Sequence, residues 1–128
     1  MNEIRIEIPE GKAAFSPGET INGSLSWQTS AAPSRAFVSL LWYTHGKGTS
    51  DNSIVEQQQL PNPVRQDRRE FSFKLPVAPY SFSGKLISLT WAIELVLEPG
   101  TASQRLDFVM APEAREILLT EDASLPIA

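Results

Sequence analysis

The sequence predicts an all-β protein, a sandwich of two antiparallel sheets with seven or eight strands. Several short segments alternate apolar and polar residues, which is typical of strands with one buried face. Turn-forming sequences separate these segments, and the 128 residues include 7 glycines and 10 prolines. Almost no segment repeats its apolar residues with the 3.6-residue period of an amphipathic helix. These three observations favour a sandwich over a helical or mixed fold.

The first two predicted strands are separated by a tight turn. Isoleucines alternate with charged residues over 4–8, and Pro9 ends that strand because it has no N–H for a ladder. Residues 16–19, with a central Pro-Gly pair, predict a type II turn. The next strand covers 21–28. Its alternation runs through Gly23, which we interpret as a bulge or a close approach inside the strand.

The strand predicted over 35–45 is apolar on both faces. Such a pattern indicates a central strand, or one whose second face is covered by a loop or a partner. A polar connection with two glycines follows at 46–52, and 53–60 predicts a short polar strand. The apolar residues of the second face are Phe37, Leu41 and Tyr43.

The strongest strand prediction covers 86–98. A strand through 70–75 precedes it and another over 104–110 follows, while 61–69 is expected to be a charged loop and 79–84 a turn. A helix could not hold six alternating apolar residues on one face. The six residues are Ile87, Leu89, Trp91, Ile93, Leu95 and Leu97.

The predicted sandwich covers residues 1–111, and 112–128 form a C-terminal tail. Pro112 is a suitable first residue for a short helix, so the tail begins either with that helix or with an edge strand over 116–120. The last residues are expected to be frayed.

Composition excludes several classes of function. The chain has no cysteine, which rules out disulfide scaffolds, Cys-ligated zinc and thiol nucleophiles. The net charge of −4 disfavours nucleic-acid binding. Neither a signal peptide nor a membrane span is evident, so we expect a cytoplasmic protein.

Three segments carry a family resemblance: PGETINGSLSW at 17–27, VSLLWYTHGKGTSD at 38–51 and REFSFKLPVAPYSFSGKLISLTWAIELVLEPG at 69–100. In this order they resemble the arrestin-like family. The chain is similar there to one lobe of arrestins, of retromer subunits with that fold and of bacterial sporulation-control proteins. This resemblance implies an immunoglobulin-like, arrestin-like sandwich with a non-catalytic interaction role and no cofactor. Arrestins carry two such lobes, whereas this chain has room for one, and their receptor-sensing basic residues have no counterpart over residues 3–7.

Two alternative functions stay open from the sequence. A carbohydrate-binding sandwich would need an exposed tryptophan among Trp27, Trp42 and Trp91. A small hydrolase would need His45, the sole histidine, to pair with a carboxylate such as Asp51 and to face a serine.

The favoured hypothesis is a protein-interaction or scaffold module without enzymatic activity. Its partner is another protein or a second copy of the chain, and we expect no nucleic acid, metal or small-molecule substrate. Glycine-bearing loops adapt to partners, which favours the 45–51 connection and the 79–85 turn as the contact surface. The predicted contact residues are His45, Lys47, Asp51, Tyr80 and Lys85.

Overall fold

The computed structural model describes residues 3–46, 49–84, 87–99, 102–112 and 117–118. Within them, seven strands of five or more residues and three strands of two residues form two sheets. This confirms the predicted all-β sandwich. The strands are β1 (Glu3–Glu7), β2 (Ala14–Phe15), β3 (Thr20–Gln28), β4 (Arg35–Gly46), β5 (Thr49–Gln59), β6 (Gln66–Lys74), β7 (Phe82–Ser83), β8 (Ile87–Glu98), β9 (Ala102–Met110) and β10 (Ile117–Leu118).

The smaller sheet has the strand order β1-β3-β6. The larger sheet has the strand order β10-β7-β8-β4-β5. Strand β9 pairs with residues 91–97 of β8, beyond the two residues of β8 that pair with β7, and it also pairs with β2. All pairs between long strands are antiparallel, as predicted. The pairs β2–β9 and β7–β10 are parallel and involve two residues each, which the sequence did not predict.

The core lies between the two sheets and confirms the alternation of β8. Five of its six predicted inward residues are buried, whereas Ile87, the first residue of the strand, is exposed. Two tryptophans anchor loops to this core through their indole N–H groups. Trp91 donates to the carbonyl of Pro79 and Trp27 to that of Val64, both at 2.8 Å.

Two backbone features predicted from the sequence involve glycines, the turn at Gly18 and the strand position Gly23. Gly18 has a φ of +79°, and the N–H of Glu19 donates to the carbonyl of Ser16 at 3.1 Å, which confirms the turn. At Gly23 a Cβ atom would lie 2.6 Å from both the Glu7 carbonyl oxygen and the Phe71 ring. Gly23 is therefore a close approach and not a bulge, since β3 keeps its register with both neighbours.

Several strands are longer than the sequence suggested. β6 begins at Gln66, four residues earlier than predicted, because the charged residues that suggested a loop pair with one another on the strand. β4 and β5 likewise extend through most of the predicted 46–52 connection, with Gly46 opposite Thr49. The region expected to be a turn contains β7. A β-bulge between the pairs Leu40–Glu56 and Leu41–Ile54 leaves an extra residue, Val55, in β5.

Ile117–Leu118 of the tail form a strand beside β7. Residues 113–116 and 119–128 lie outside the described residues, so the choice between a helix after Pro112 and an edge strand over 116–120 stays a prediction. None of the described residues belongs to a helix with the length and apolar character of a membrane span.

Candidate interaction surface

The predicted contact regions meet at one end of the larger sheet. His45 at the end of β4 lies opposite Ser88 of β8, and Ser83 of β7 lies opposite the same residue from the other side. The hairpin of β4 and β5 and the segment around β7 therefore flank the start of β8. Two of the five predicted contact residues, Lys47 and Lys85, lie outside the described residues.

The structure separates the two residues that the hydrolase hypothesis pairs. His45 lies opposite Ser50, whereas Asp51 lies opposite Thr44. Because neighbouring residues of a strand point to opposite faces, His45 and Asp51 point to opposite sides of the sheet. The His45 ring instead stacks on Tyr43, with centroids 5.8 Å apart, and the backbone N–H of Asn52 donates to the Asp51 carboxylate at 2.9 Å. This geometry does not provide the predicted catalytic pair.

Tyr80 lies in the loop between β6 and β7 and is 37% exposed. The residues on either side of it are fixed by hydrogen bonds. Pro79 accepts one from the indole of Trp91, and the N–H of Ser81 donates to the carbonyl of Met110 at 2.7 Å. The loop therefore presents the Tyr80 side chain from an anchored backbone.

The outer face of the larger sheet carries a polar cluster, which we call the outer-face cluster: Tyr43, His45, Glu94, Arg105 and Asp107. The Tyr43 hydroxyl donates to Asp107 at 2.8 Å, and the Arg105 guanidinium lies 4.9 Å from the centre of the Tyr43 ring. Arg105 also forms an ion pair with Glu94 at 3.3 Å. Burial raises the pKa of the Tyr43 hydroxyl, and its hydrogen bond to Asp107 raises that pKa further.

The apolar second face of β4, which motivated the interaction hypothesis, is largely covered by the protein itself. Leu41 is only 3% exposed, and Phe37 and Tyr43 are half-buried. Ser39 on the same face is buried and accepts a hydrogen bond from the Gln57 side chain at 3.0 Å. This face therefore offers little free apolar surface for a partner.

Two adjacent exposed apolar residues lie instead on β5, where the sequence predicted a polar strand; Val64, Val77 and Ile87 are also exposed but lie elsewhere. Ile54 is 57% exposed and Val55 is 44% exposed. β5 is the terminal strand of the larger sheet, and within the described residues no strand pairs with its second edge. We call this second edge the β5 edge. Sequence reasoning missed it, although two adjacent apolar residues in a polar strand signal that one of them faces solvent.

The described tryptophans do not form a sugar-binding platform. Trp27 and Trp91 are buried, and Trp42 is half-buried and packs against the core. A carbohydrate site of the kind considered above needs an exposed aromatic face. The described tryptophans therefore lack the exposure that the carbohydrate-binding alternative requires.

A groove with a volume of about 930 Å³ follows the outer side of the smaller sheet. Its lining is mainly polar, including Asn22, Ser24, Arg68 and Glu70. Ligand pockets are usually concave and mostly apolar, so this groove is a poor match for a small molecule. Across the described residues no group of three His, Asp or Glu side chains is arranged to hold a metal ion.

Comparisons with known proteins identify the fold. No protein-family model matches the sequence, and no curated protein matches it. The structure is similar to that of Spo0M, a sporulation control protein from Bacillus subtilis, with a TM-score of 0.61 and 14% identity over 86% of this chain. Spo0M has an arrestin-like fold, which supports at the level of fold the resemblance seen in the sequence. The match covers 49% of Spo0M, so this chain spans about half of its length.

Two further structures match less well. The Pseudomonas fluorescens DNA glycosylase AlkC has a TM-score of 0.45 and 13% identity, over 86% of this chain and 30% of AlkC. A β-glucosidase from Listeria innocua has a TM-score of 0.42 and 10% identity, over 87% of this chain and 16% of the enzyme. Similarity at this level carries no argument about function.

Proposed function

We propose that this chain is a non-catalytic protein-interaction module with an arrestin-like fold, and that its main contact element is the β5 edge. The observation that carries the proposal is the eleven-residue β5, terminal in its sheet, with Ile54 and Val55 exposed. A free strand edge presents N–H and C=O groups that can pair with an extended segment of another chain.

The hairpin end of the larger sheet extends this contact surface. His45 and Asp51 are exposed beside the β5 edge, and Tyr80 projects from the anchored loop before β7. We retain Lys47 and Lys85 as proposed contacts because their positions in sequence adjoin these elements. Alanine substitutions at Tyr80 and Lys85 should weaken partner binding, and unchanged affinity would refute this part of the surface.

Photo-cross-linking in the native cells tests the proposal. A photoreactive amino acid at Val55 should form discrete adducts with protein, whereas the same amino acid at Val64 should not. Val64 is a matched control because it is an exposed valine outside the strands, in the loop between β5 and β6. Adducts no more frequent at position 55 than at position 64 would contradict the proposal, as would a hydrolytic activity abolished by His45→Ala.

A further inference from the structure

The β5 edge has only some of the features that usually protect an edge strand. Natural sheets limit edge pairing with charged residues, especially lysine, with proline and with β-bulges, and of these β5 has a bulge and few charges. β5 contains no lysine, arginine or proline, and its two charged residues are Asp51 and Glu56. Each of the other long strands at a sheet edge (β1, β6 and β9) carries at least one arginine.

We propose that two copies of this chain associate through their β5 edges, antiparallel, with Ile54 of each copy opposite Val55 of the other. The inference rests on the proposed function of the β5 edge and names its partner. Such a contact is self-complementary, as a two-fold symmetric dimer requires. It would also cover the two exposed apolar residues of each β5.

The β-bulge in β5 restricts the registers in which the β5 strands of two copies can pair. Before it, Asp51 and Ser53 lie opposite Thr44 and Trp42 of β4. Because Trp42 packs against the core, odd-numbered residues of this part share the core-facing side of the sheet. After the bulge, Glu56 and Gln58 lie opposite Leu40 and Val38, which are in the core. Even-numbered residues therefore face the core side there.

A continuous sheet across two copies must keep the core sides of both copies on the same face. An odd residue before the bulge must then lie opposite an even residue after it, so allowed registers differ by two residues. The register with Ile54 opposite Val55 meets this condition. Its other pairs are Ser53 with Glu56, Asn52 with Gln57 and Asp51 with Gln58.

Side-chain chemistry selects among the allowed registers. A shift by two residues in one direction places Asp51 opposite Glu56, and like charges directly opposite are destabilising. A shift in the other direction places Ile54 opposite Gln57 and Val55 opposite Glu56. The proposed register avoids both, because it pairs the apolar residues with each other and each carboxylate with a neutral polar side chain.

The backbone of β5 supports the same pairing. The N–H of Leu60 donates to the carbonyl of Ala36 at 2.8 Å, which directs the backbone of residue 60 towards β4. Because this direction alternates along an antiparallel strand, Gln57 and Gln59 present their N–H and C=O groups to the free edge. In the proposed register Gln57 would exchange these hydrogen bonds with Asn52 of the second copy, whose N–H would leave the Asp51 carboxylate that it contacts at 2.9 Å in the monomer.

Sedimentation of the purified chain tests the inference, with Ile54→Lys and Val55→Lys as variants and Val77→Lys as the control. Val77 is a 72% exposed valine in the loop between β6 and β7, so it receives the same substitution away from β5. Far-ultraviolet circular dichroism and thermal unfolding confirm that each variant is folded. The concentration range should reach about 1 mM, so that a dimer with a dissociation constant of about that value is still detected.

We expect the wild type and Val77→Lys to dimerise alike, and each β5 variant to bind at least about tenfold more weakly. A wild type that stays monomeric throughout, a dimer that survives both β5 substitutions, or equal weakening by Val77→Lys would overturn the inference. The cross-linking experiment separates the two proposals. Adducts at position 55 with a different protein, together with a monomeric wild type, would support the interaction function and reject self-association.

Discussion

β5 and β6 are neighbouring edge strands in opposite sheets, but they differ in the number of charged residues that they carry. Five of the nine β6 residues are charged, compared with two of the eleven in β5. The Gln58 side chain of β5 also donates to the carbonyl of Ser72 in β6 at 2.9 Å, so one β6 carbonyl is already bonded within the chain. In β5 the N–H of Asn52 donates to the Asp51 carboxylate of the same strand at 2.9 Å, and the described contacts include no such bond from another strand.

The charged start of β6 also stabilises the fold. Arg69 binds Asp67 through two nitrogens, at 3.0 and 2.9 Å, and donates to the carbonyl of Asn62 at 3.1 Å. Asp67 accepts a further hydrogen bond from the N–H of Val64, whose carbonyl receives the indole N–H of Trp27. β6 is therefore integrated into the monomer, whereas no strand of the described residues pairs with the outward side of β5.

Truncation of one apolar side chain in each strand should give the largest contrast. Phe71→Ala removes a buried core ring from β6 and should lower the free energy of unfolding by about 3–5 kcal/mol. Ile54→Ala in β5 should change it by less than about 0.5 kcal/mol, because Ile54 is mostly exposed. Urea unfolding at a concentration where the chain is monomeric measures both. Similar losses would show that the β5 side chain also supports the monomer.

Neutralising an aspartate in each strand should give the next largest contrast. Asp67→Asn disrupts the two-nitrogen ion pair with Arg69 and should cost about 1.5–3 kcal/mol, the range for hydrogen bonds to charged groups. Asp51→Asn is the matched control in β5, and its effect on unfolding should be close to zero because Asp51 is exposed. Equal effects in urea unfolding would contradict the assigned role of Asp67.

The same pair of variants predicts a pH dependence. The hydrogen bond from Arg69 lowers the pKa of Asp67 below its ordinary value, and the backbone N–H groups of Val64 and Arg68 act in the same direction. The stability that Asp67 adds should therefore be complete above its unfolded-state pKa of about 3.9, and be lost as the pH falls through the lowered folded-state pKa. The stability difference between wild type and Asp67→Asn should shrink accordingly, whereas a constant difference down to about pH 2 would contradict this origin.

The smallest expected effect is on the salt dependence of the proposed dimer. Both copies carry a net charge of −4, and each β5 edge contributes Asp51 and Glu56, so added salt should screen repulsion and strengthen association by about two- to threefold. The double variant Asp51→Asn/Glu56→Gln should bind more tightly at low salt and respond less to salt. Sedimentation at two ionic strengths provides the measurement, and a dimer that salt dissociates would argue for ion pairs at the interface.

The fold was predictable where the side-chain pattern is periodic. The alternation of β8, the turn at 16–19 and the inward Phe71, Phe73 and Leu75 were all evident in the sequence. The start of β6 was not, because Asp67 and Arg69 satisfy each other's charge on a strand whose composition suggested a loop. The two-residue parallel pairs also escaped prediction, since contacts between distant segments leave no periodic signal.

The candidate surface was less predictable than the fold. From the apolar second face of β4 the sequence predicted a central strand or a face covered by a loop or a partner. The structure shows the central strand, with β4 between β8 and β5 and Leu41 buried, whereas the contact surface at the hairpin end stays a prediction. The sequence also classed β5 as a polar strand. The exposure of Ile54 and Val55 depends on which strand is terminal in the sheet and on the bulge at Val55, and both are properties of strand pairing.

A disulfide between two single-cysteine variants tests the central claim most directly, because the protein has no cysteine of its own. In the proposed dimer Ser53 lies opposite Glu56 of the second copy, with the Cα atoms about 4.5–5.5 Å apart, within disulfide range. An oxidised mixture of Ser53→Cys and Glu56→Cys should therefore form the mixed dimer efficiently. Ser53→Cys alone should not, because its two cysteines would lie about 10 Å apart along the strands. Mixed disulfide at no higher yield than in either single variant would contradict pairing through the β5 edge.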